Sequence, residues 1–390
     1  MFIPTFQGLT PNDFVRAAGS GRSRFPFDVP HLSFYRARNA IYYLFRALKS
    51  TNETLTVLVP DYNSGNEVLA LEAAGATVHY YAVGPDGQAD PAEVERLCAA
   101  HQPDVLYVIH YLGWPQPVQQ FAAVCRERDM WMVEDCALAL LSDAQTQPLG
   151  TFGHWSIFCL YKTLPLPNGA CLVQNSERLE PLERLGLRHA GLPSVLGQTA
   201  ELMVRGIRSR ADGLGAAMQS MKRAAGRAAG AMDVARASVG DIGFNLAEVD
   251  LAMSELSMRL LKRLDFERIR SQRIANYRQL AAELDGRVNA LHSDLPDGVC
   301  PLFFPILVDD KRSTAALLKE RGVDALQFWN YGARLRADGA SAGQAGEASE
   351  GGHSSFLRKH VLGLPIHQDL TARHISHVAE QVRRVNLRMS

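Results

Sequence analysis

The sequence predicts an α/β protein, with a large domain on a mainly parallel central sheet over residues 1–260 and a smaller α+β domain over 261–390. Three observations lead there. Up to Leu138, short apolar runs alternate with helix-length amphipathic segments, the pattern of a parallel sheet covered by helices on both faces. Beyond Ser176 the alternation stops and a long helical stretch, a separate strand and a terminal helix follow. A chain of 390 residues is also too long for one small core and suits two packed domains.

Residues 38–48, RNAIYYLFRAL, carry apolar side chains at helical spacing. TLTVLVP (54–60) is a short apolar run closed by proline, read as a buried strand. EVLALEAAGA (67–76) is helical, and its Gly75 suits a helix C-terminus. TVHYYAV (77–83) is a second strand, PAEVERLCAAH (91–101) a helix, and VLYVIHYLG (105–113) a third strand. QQFAAVCRERD (119–129) is helix and MWMVEDCAL (130–138) a fourth strand, after which HWSIFCLYK (154–162) and ACLVQNS (170–176) complete the run. Residues 190–240 are rich in Ala, Gly and Arg, with seven Lys or Arg against two Asp between Arg205 and Arg236. They read as a basic insertion, either a helical hairpin or a cover that draws an anionic substrate to the site. A long helix, little broken, is expected from Leu246 to Leu284. PLFFPILV (301–308) reads as strand and HISHVAEQVRRVNL (374–387) as a terminal helix, while the low-complexity stretch 336–355 reads as a mobile loop.

Composition narrows the function. Lys plus Arg (41) equals Asp plus Glu (41), so net charge gives no footprint for a nucleic-acid partner. No run of about 18 apolar residues occurs, so no transmembrane segment is expected. The N-terminus, MFIPTFQGLTPNDF, lacks the basic-then-apolar order of a secretion signal. A cytoplasmic protein is the expectation. Six cysteines (Cys98, Cys125, Cys136, Cys159, Cys171 and Cys300) form no CxxC pair, and several sit in apolar runs. They read as buried free thiols, with neither disulfides nor a metal site expected.

In parallel sheets, ligands collect at the carboxyl ends of the strands. Four polar signals fall at such ends in order: PDYNSG, IHYLG, EDCAL and LYKTLPLPNGA. Asp135 ends a buried apolar strand, where a carboxylate is costly unless paired or hydrogen-bonded. Lys162 ends or follows IFCLYK, and a desolvated lysine loses its proton more readily and becomes a competent amine nucleophile, as Schiff-base chemistry requires. A carboxylate that stays ionised beside a pyridinium nitrogen makes that ring an electron sink. Alone, each residue has a blander reading: Asp135 as a helix cap or ion-pair partner, Lys162 as a side chain leaving the sheet for solvent.

In their order and spacing these segments resemble the DegT/StrS family of pyridoxal-phosphate-dependent aminotransferases, many of which aminate nucleotide-linked keto-sugars. VLVPDYNSGNEVLALEAAGATV, VIHYLGWPQPVQQFAAVCRERDMWMVEDCALAL and PLGTFGHWSIFCLYKTLPLPNGACLVQNS are similar to the family's strand-and-turn, His-x-x-Gly with Glu-Asp-x-Ala, and lysine segments. IGFNLAEVDLAMSELSMRLLKRL, SQRIANYRQLAAEL and LGLPIHQDLTARHISHV extend the resemblance nearly to the C-terminus. It implies fold type I and pyridoxal 5'-phosphate as cofactor. Carried over by position, Lys162 would hold the cofactor through its amine and shuttle the proton between substrate carbon and cofactor, while Asp135 would pair with the pyridine nitrogen. His110 would lie near the cofactor, or else be a satisfied sheet-end histidine. Ala37 and Arg38 would form the phosphate-binding turn at a helix N-terminus. Asn245 would reach the phosphate from the partner subunit of a homodimer with a shared site, and could also cap the long helix.

The chain departs from the family at several places. Arg36-Ala37-Arg38 stands where Ser-Gly-Thr is common, although an arginine can still meet a phosphate. Ser64 takes the place of a ring-stacking aromatic, Leu138 that of a glutamine, and Asn168-Gly169-Ala170 that of acidic-Gly-Gly. Ile157 replaces the serine five residues before the lysine, whose phosphate role passes to Ser156 or Cys159. The reaction implied is reversible transfer of an amino group from an amino acid, glutamate being the commonest, to a small-molecule keto acceptor such as a nucleotide sugar. Two other readings stand beside it: a pyridoxal-phosphate dehydration or elimination, and a non-catalytic relative that binds a partner. Family members that dehydrate usually lose the lysine, which this chain keeps.

Overall fold

Nine strands make the central sheet in the computed structural model, which describes residues 1–15, 24–50, 54–208, 244–329 and 352–385. In chain order its strands are β1 (His31–Phe34), β2 (Thr56–Pro60), β3 (Thr77–Tyr81), β4 (Val105–Ile109) and β5 (Trp131–Asp135). After a hairpin of β6 (Asp143–Ala144) and β7 (Gln147–Pro148) come β8 (Trp155–Cys159), β9 (Ala170–Gln174), β10 (Arg188–His189) and β11 (Leu251–Ala252). The order across the sheet is β10-β11-β1-β9-β8-β5-β4-β2-β3. The five strands from β3 to β8 run parallel. Every residue of β4 and β8 is buried, as expected where helices cover both faces. Then β9 runs antiparallel to β8, and β1 to β9. The four residues of β1 gave no apolar run, because half of HLSF is polar; pairing along all of β9 makes it a strand.

The expected helix from Leu246 to Leu284 is broken. The stretch divides into a 3-10 turn (Leu246–Glu248), β11, a helix Glu255–Leu261 and a helix Phe266–Leu284. Two side chains restart it: Ser254 accepts from the Ser257 N–H and Asp265 from the Arg268 N–H, and such caps satisfy amides that a new first turn leaves bare. Asn245 therefore caps the short 3-10 turn, its Oδ1 accepting from Ala247 N–H at 3.0 Å, rather than the long helix. Gly75, at φ +90°, follows the helix Asn66–Ala73 as a left-handed terminator.

A second sheet of β12 (Asn289–Ala290), β13 (Phe304–Leu307), β14 (Leu326–Gln327) and β15 (Val361–Leu364) is antiparallel, in the order β12-β13-β15-β14. The first residues of the chain join this half: Ile3 bridges Val323, and Thr5 Oγ1 donates to the Asp324 carbonyl at 2.7 Å. Of the basic segment, the structure describes a helix Leu192–Arg208; 209–240 lies outside the described residues. The expected loop 336–355 lies outside them up to residue 351, and from His353 it is helix. All six cysteines are buried and free. Among the described residues no helix is long and apolar enough to cross a membrane.

Candidate active site

The carboxyl ends of β5 and β8 lie side by side, and the two chemical candidates stand there. Asp135, the last residue of β5, is 2% exposed. Tyr107 Oη donates to its Oδ2 at 2.7 Å and the Ala137 N–H to its Oδ1 at 2.9 Å, so both oxygens are fixed while lone pairs remain for a third donor. Burial raises its pKa most, and the Glu67 charge adds to that; the Tyr107 and Ala137 bonds and the Lys162 charge oppose them, leaving it pushed up to about 6. Tyr107 itself is held well above the usual tyrosine range, by burial first and then by the Asp135 and Glu67 charges. It is thus a donor only. Lys162 closes a 3-10 turn, Leu160–Lys162, that begins where β8 stops. Its side chain is half-buried, and among the described residues it takes no hydrogen bond.

The backbone around Lys162 is held from the other half of the molecule. Arg273, on the helix Phe266–Leu284, is 1% exposed and donates to Thr163 O (3.2 Å), Leu302 O (3.0 Å), Gln368 Oε1 (2.9 Å) and Gln7 Oε1 (3.2 Å). Gln368 Nε2 donates to Thr163 O as well, at 3.0 Å, and Gln7 Nε2 to Tyr161 O at 3.4 Å. The carbonyls on either side of Lys162 are therefore fixed by the helix Phe266–Leu284, the turn after β15 and the N-terminal segment. Gly169, at φ +138°, lies beneath the turn: a Cβ there would fall 2.9 Å from Met253 Cε, and its carbonyl accepts from Leu160 N–H. This is the constraint that keeps glycine in Asn168-Gly169-Ala170.

Strand parity sorts the remaining candidates. Register pairs Asp135 with Ile157 and Glu134 with Ser156, and neighbours in register share a face. Cys159 therefore lies on the Asp135 face and Ser156 on the opposite one. Burial raises the Cys159 thiol's pKa, with the Lys162 charge the largest opposing effect, a hydrogen bond to Tyr161 the next, and the Arg38 charge adding to both. Ser156 Oγ is fully buried without a partner among the described residues. His110 sits on Glu134: its Nε2 is 3.0 Å from Glu134 Oε2, and its Nδ1 accepts from Gln116 N–H. Glu134 also accepts from the N–H groups of Gly150, Phe152 and Gly153. His110, Glu134 and Cys136 offer ligand atoms within 4.8 Å of one another, but these bonds already occupy the carboxylate and both ring nitrogens. The cluster ties the end of β4 to β5 and to the backbone at residues 150–153.

At the other end of the site, Ala37 and Arg38 open the helix Ala37–Lys49, whose N-terminus takes no side-chain cap. Arg36 is buried and paired with Glu248 at 2.5 Å, with its Nε left unpartnered among the described residues. Arg38 is buried and donates to Asn66 Oδ1 at 3.2 Å. Ser64 serves its own helix: Glu67 Oε2 accepts from both its hydroxyl (2.6 Å) and its N–H (3.0 Å), a capping arrangement. Asn245 is exposed, but its turn is docked beside this helix N-terminus, since Glu248 binds Arg36 and the Glu248 carbonyl accepts from Asn39 Nδ2 at 2.8 Å. An uncapped helix end with two guanidinium groups, a buried carboxylate with lone pairs to offer and an amine with no hydrogen bond fit a phosphorylated pyridine aldehyde.

Glu67, Tyr107 and Arg273 were not candidates in the sequence. Tyr107 gave no signal of its own: it stands two residues before Ile109, and only strand register places that residue opposite Asp135. The shape of the site, a parallel sheet with a strand-end lysine and acid on adjacent strands, defines a class of enzyme built on fold type I. A profile of the DegT/DnrJ/EryC1/StrS aminotransferase family matches residues 34–383, and the chain belongs to that family. Among curated proteins it is similar to a GDP-perosamine synthase of Escherichia coli O157:H7, 27% identical over 128 residues, 32% of this chain and 34% of that protein. A GDP-perosamine synthase of Vibrio cholerae is likewise 27% identical over 124 residues, 31% of this chain and 34% of its own. The matched segments thus span about a third of these relatives. Of solved structures, Helicobacter pylori PseC, an aminotransferase involved in the biosynthesis of pseudoaminic acid, superposes with a TM-score of 0.65 at 16% identity, covering 99% of both chains. A DegT DnrJ EryC1 StrS aminotransferase from Brucella abortus gives 0.63 at 15%, over 92% of this chain and 86% of that one. These likenesses show the fold.

Proposed function

We propose that this protein is a pyridoxal-phosphate-dependent aminotransferase that moves an amino group from an amino acid such as glutamate to a keto group, of a nucleotide-linked sugar. The observation that carries the reading is the doubly held Asp135 at the end of β5 beside the Lys162 turn at the end of β8. When bound, pyridoxal phosphate supplies an aldehyde for the lysine amine and a ring that takes up electron density from the reacting carbon. Asp135 would hold a proton at the ring nitrogen. Lys162 would anchor the cofactor and then, released by the incoming amine, carry a proton to and from the substrate carbon. The helix end at Ala37 and Arg38, with Cys159 on the same sheet face as Asp135, would receive the phosphate; face parity favours Cys159 over Ser156 for that place. The family's curated relatives named GDP-perosamine synthase support a nucleotide-sugar acceptor. We further propose a cytoplasmic homodimer.

The test is a spectrum. Purified protein mixed with pyridoxal phosphate is expected to gain a visible absorption band that Lys162→Ala lacks, and glutamate should bleach the wild-type band as the amino group is taken up. A band untouched by Lys162→Ala would remove that residue from the mechanism; no band in either protein would remove the cofactor.

A further inference from the structure

We propose that Tyr107 is the positioning residue for Asp135, setting whether the shared proton rests on the cofactor's ring nitrogen or on the carboxylate; this rests on the pyridoxal-phosphate reading above. Tyr107 is fully buried in the middle of β4, on the strand next to β5. Its hydroxyl meets Asp135 Oδ2 at 2.7 Å, a length typical of a good O–H···O bond. Phe45 packs against its ring and limits the phenol's freedom to turn away, whereas Tyr81 Oη, 3.1 Å from the Tyr107 carbonyl, meets only the backbone and not the phenol. The charged groups acting on Asp135 besides it are Glu67 and Lys162. Glu67, held by Ser64 at the start of the next helix, makes ionised Asp135 less favourable. The Tyr107 proton counters it by favouring the anion. Because burial and its acidic neighbours keep the phenol protonated, Tyr107 gives a hydrogen bond and never takes up the proton itself.

The proton balance follows. With the phenol present, Asp135 is a weaker base than without it and would leave the shared proton on the ring nitrogen of bound cofactor, which draws electron density. Without the phenol the carboxylate becomes more basic and would take the proton from the ring nitrogen, leaving the ring without it.

The experiment uses holoenzyme loaded with pyridoxal phosphate carrying 15N in the ring. The wild-type nitrogen should resonate as a pyridinium. In Tyr107→Phe it should move toward the unprotonated position, with kcat falling roughly ten- to a hundred-fold, the range for a lost bond to a charged group, and KM for the amino donor nearly unchanged. Tyr107→3-fluorotyrosine keeps the shape and donates more strongly, so its signal should stay at or beyond the wild-type position. Tyr81→Phe removes a buried hydroxyl that does not touch Asp135 and should leave the signal in place. An unchanged nitrogen in folded, cofactor-bearing Tyr107→Phe, an unprotonated nitrogen in wild type, or an equal shift in Tyr81→Phe would overturn the proposal. Wild-type protein that takes up no pyridoxal phosphate would sink the underlying reading and this one with it.

Discussion

At Asp135 the needs of folding and of chemistry oppose each other. A carboxyl raised from its usual 3.8 to about 6 binds its proton more tightly in the folded chain than in the unfolded one. The stability this gives is fully present below about pH 4 and is lost as pH rises through about 6. Two pKa units correspond to about 3 kcal/mol, an upper figure for the cofactor-free protein at neutral pH. We therefore expect cofactor-free Asp135→Asn to be more stable than wild type at pH 8, with the gap closing toward pH 4, and its turnover with cofactor to fall by orders of magnitude. Urea unfolding across that range checks the first part; a variant less stable at pH 8 would mean that Asp135 works as an ion-pair partner. Asp135 and Lys162 were legible in the sequence because a charge at the end of an apolar strand is conspicuous. Tyr107 was not, since a tyrosine inside VLYVI looks like core until register shows what it faces. The same parity, invisible without strand pairing, separates His110 and Ser156 from the Asp135 face.

Between elements, Arg273 joins the halves of the molecule at the place where chemistry would occur. Burial lowers its pKa to about 10, against the raising effect of Cys300 and Asp369, so it stays charged at neutral pH while its hydrogen bonds go to carbonyl and amide oxygens. Removing the guanidinium leaves several buried acceptors bare, each worth about 1–3 kcal/mol. Arg273→Met is expected to lose roughly 3 kcal/mol or more of stability and to release the cofactor faster, since the carbonyl of Thr163 loses its tie; Arg273→Lys should recover only part of both. Stability lost with cofactor release unchanged would confine Arg273 to scaffolding. Gly113 marks another such junction: at φ +113° it lies against the Cys300 carbonyl, which any Cβ would strike, and this gives a physical reason for the glycine of the His-x-x-Gly segment. The parallel strands and their helices were readable from periodicity alone. The break in 246–284 was not, because β11 is two residues long and exists only through its partners β1 and β10.

At the scale of the whole molecule, Asn245 bears on whether one chain or two build the site. In one chain it is exposed, with its carboxamide oxygen on Ala247 N–H, and its turn is fastened through Glu248 to the N-terminus of the chain's own helix Ala37–Lys49. Leu192, Leu196 and Leu246 are exposed apolar side chains, surface that a second copy would cover at lower cost than water. A shared site makes a specific forecast. Lys162→Ala and Asn245→Ala proteins, each nearly inactive, should regain activity when mixed and allowed to exchange subunits. One site of the hybrid then carries both lesions and the other neither, so a random mixture of equal parts approaches about a quarter of wild-type activity, half its molecules being hybrids with one good site each. If Asn245 instead serves the site of its own chain, every hybrid has one defective lysine site and one defective asparagine site. Exchange followed by mass spectrometry, with no regain of activity, would settle on that second arrangement, and size-exclusion chromatography showing a monomer would remove the shared site altogether.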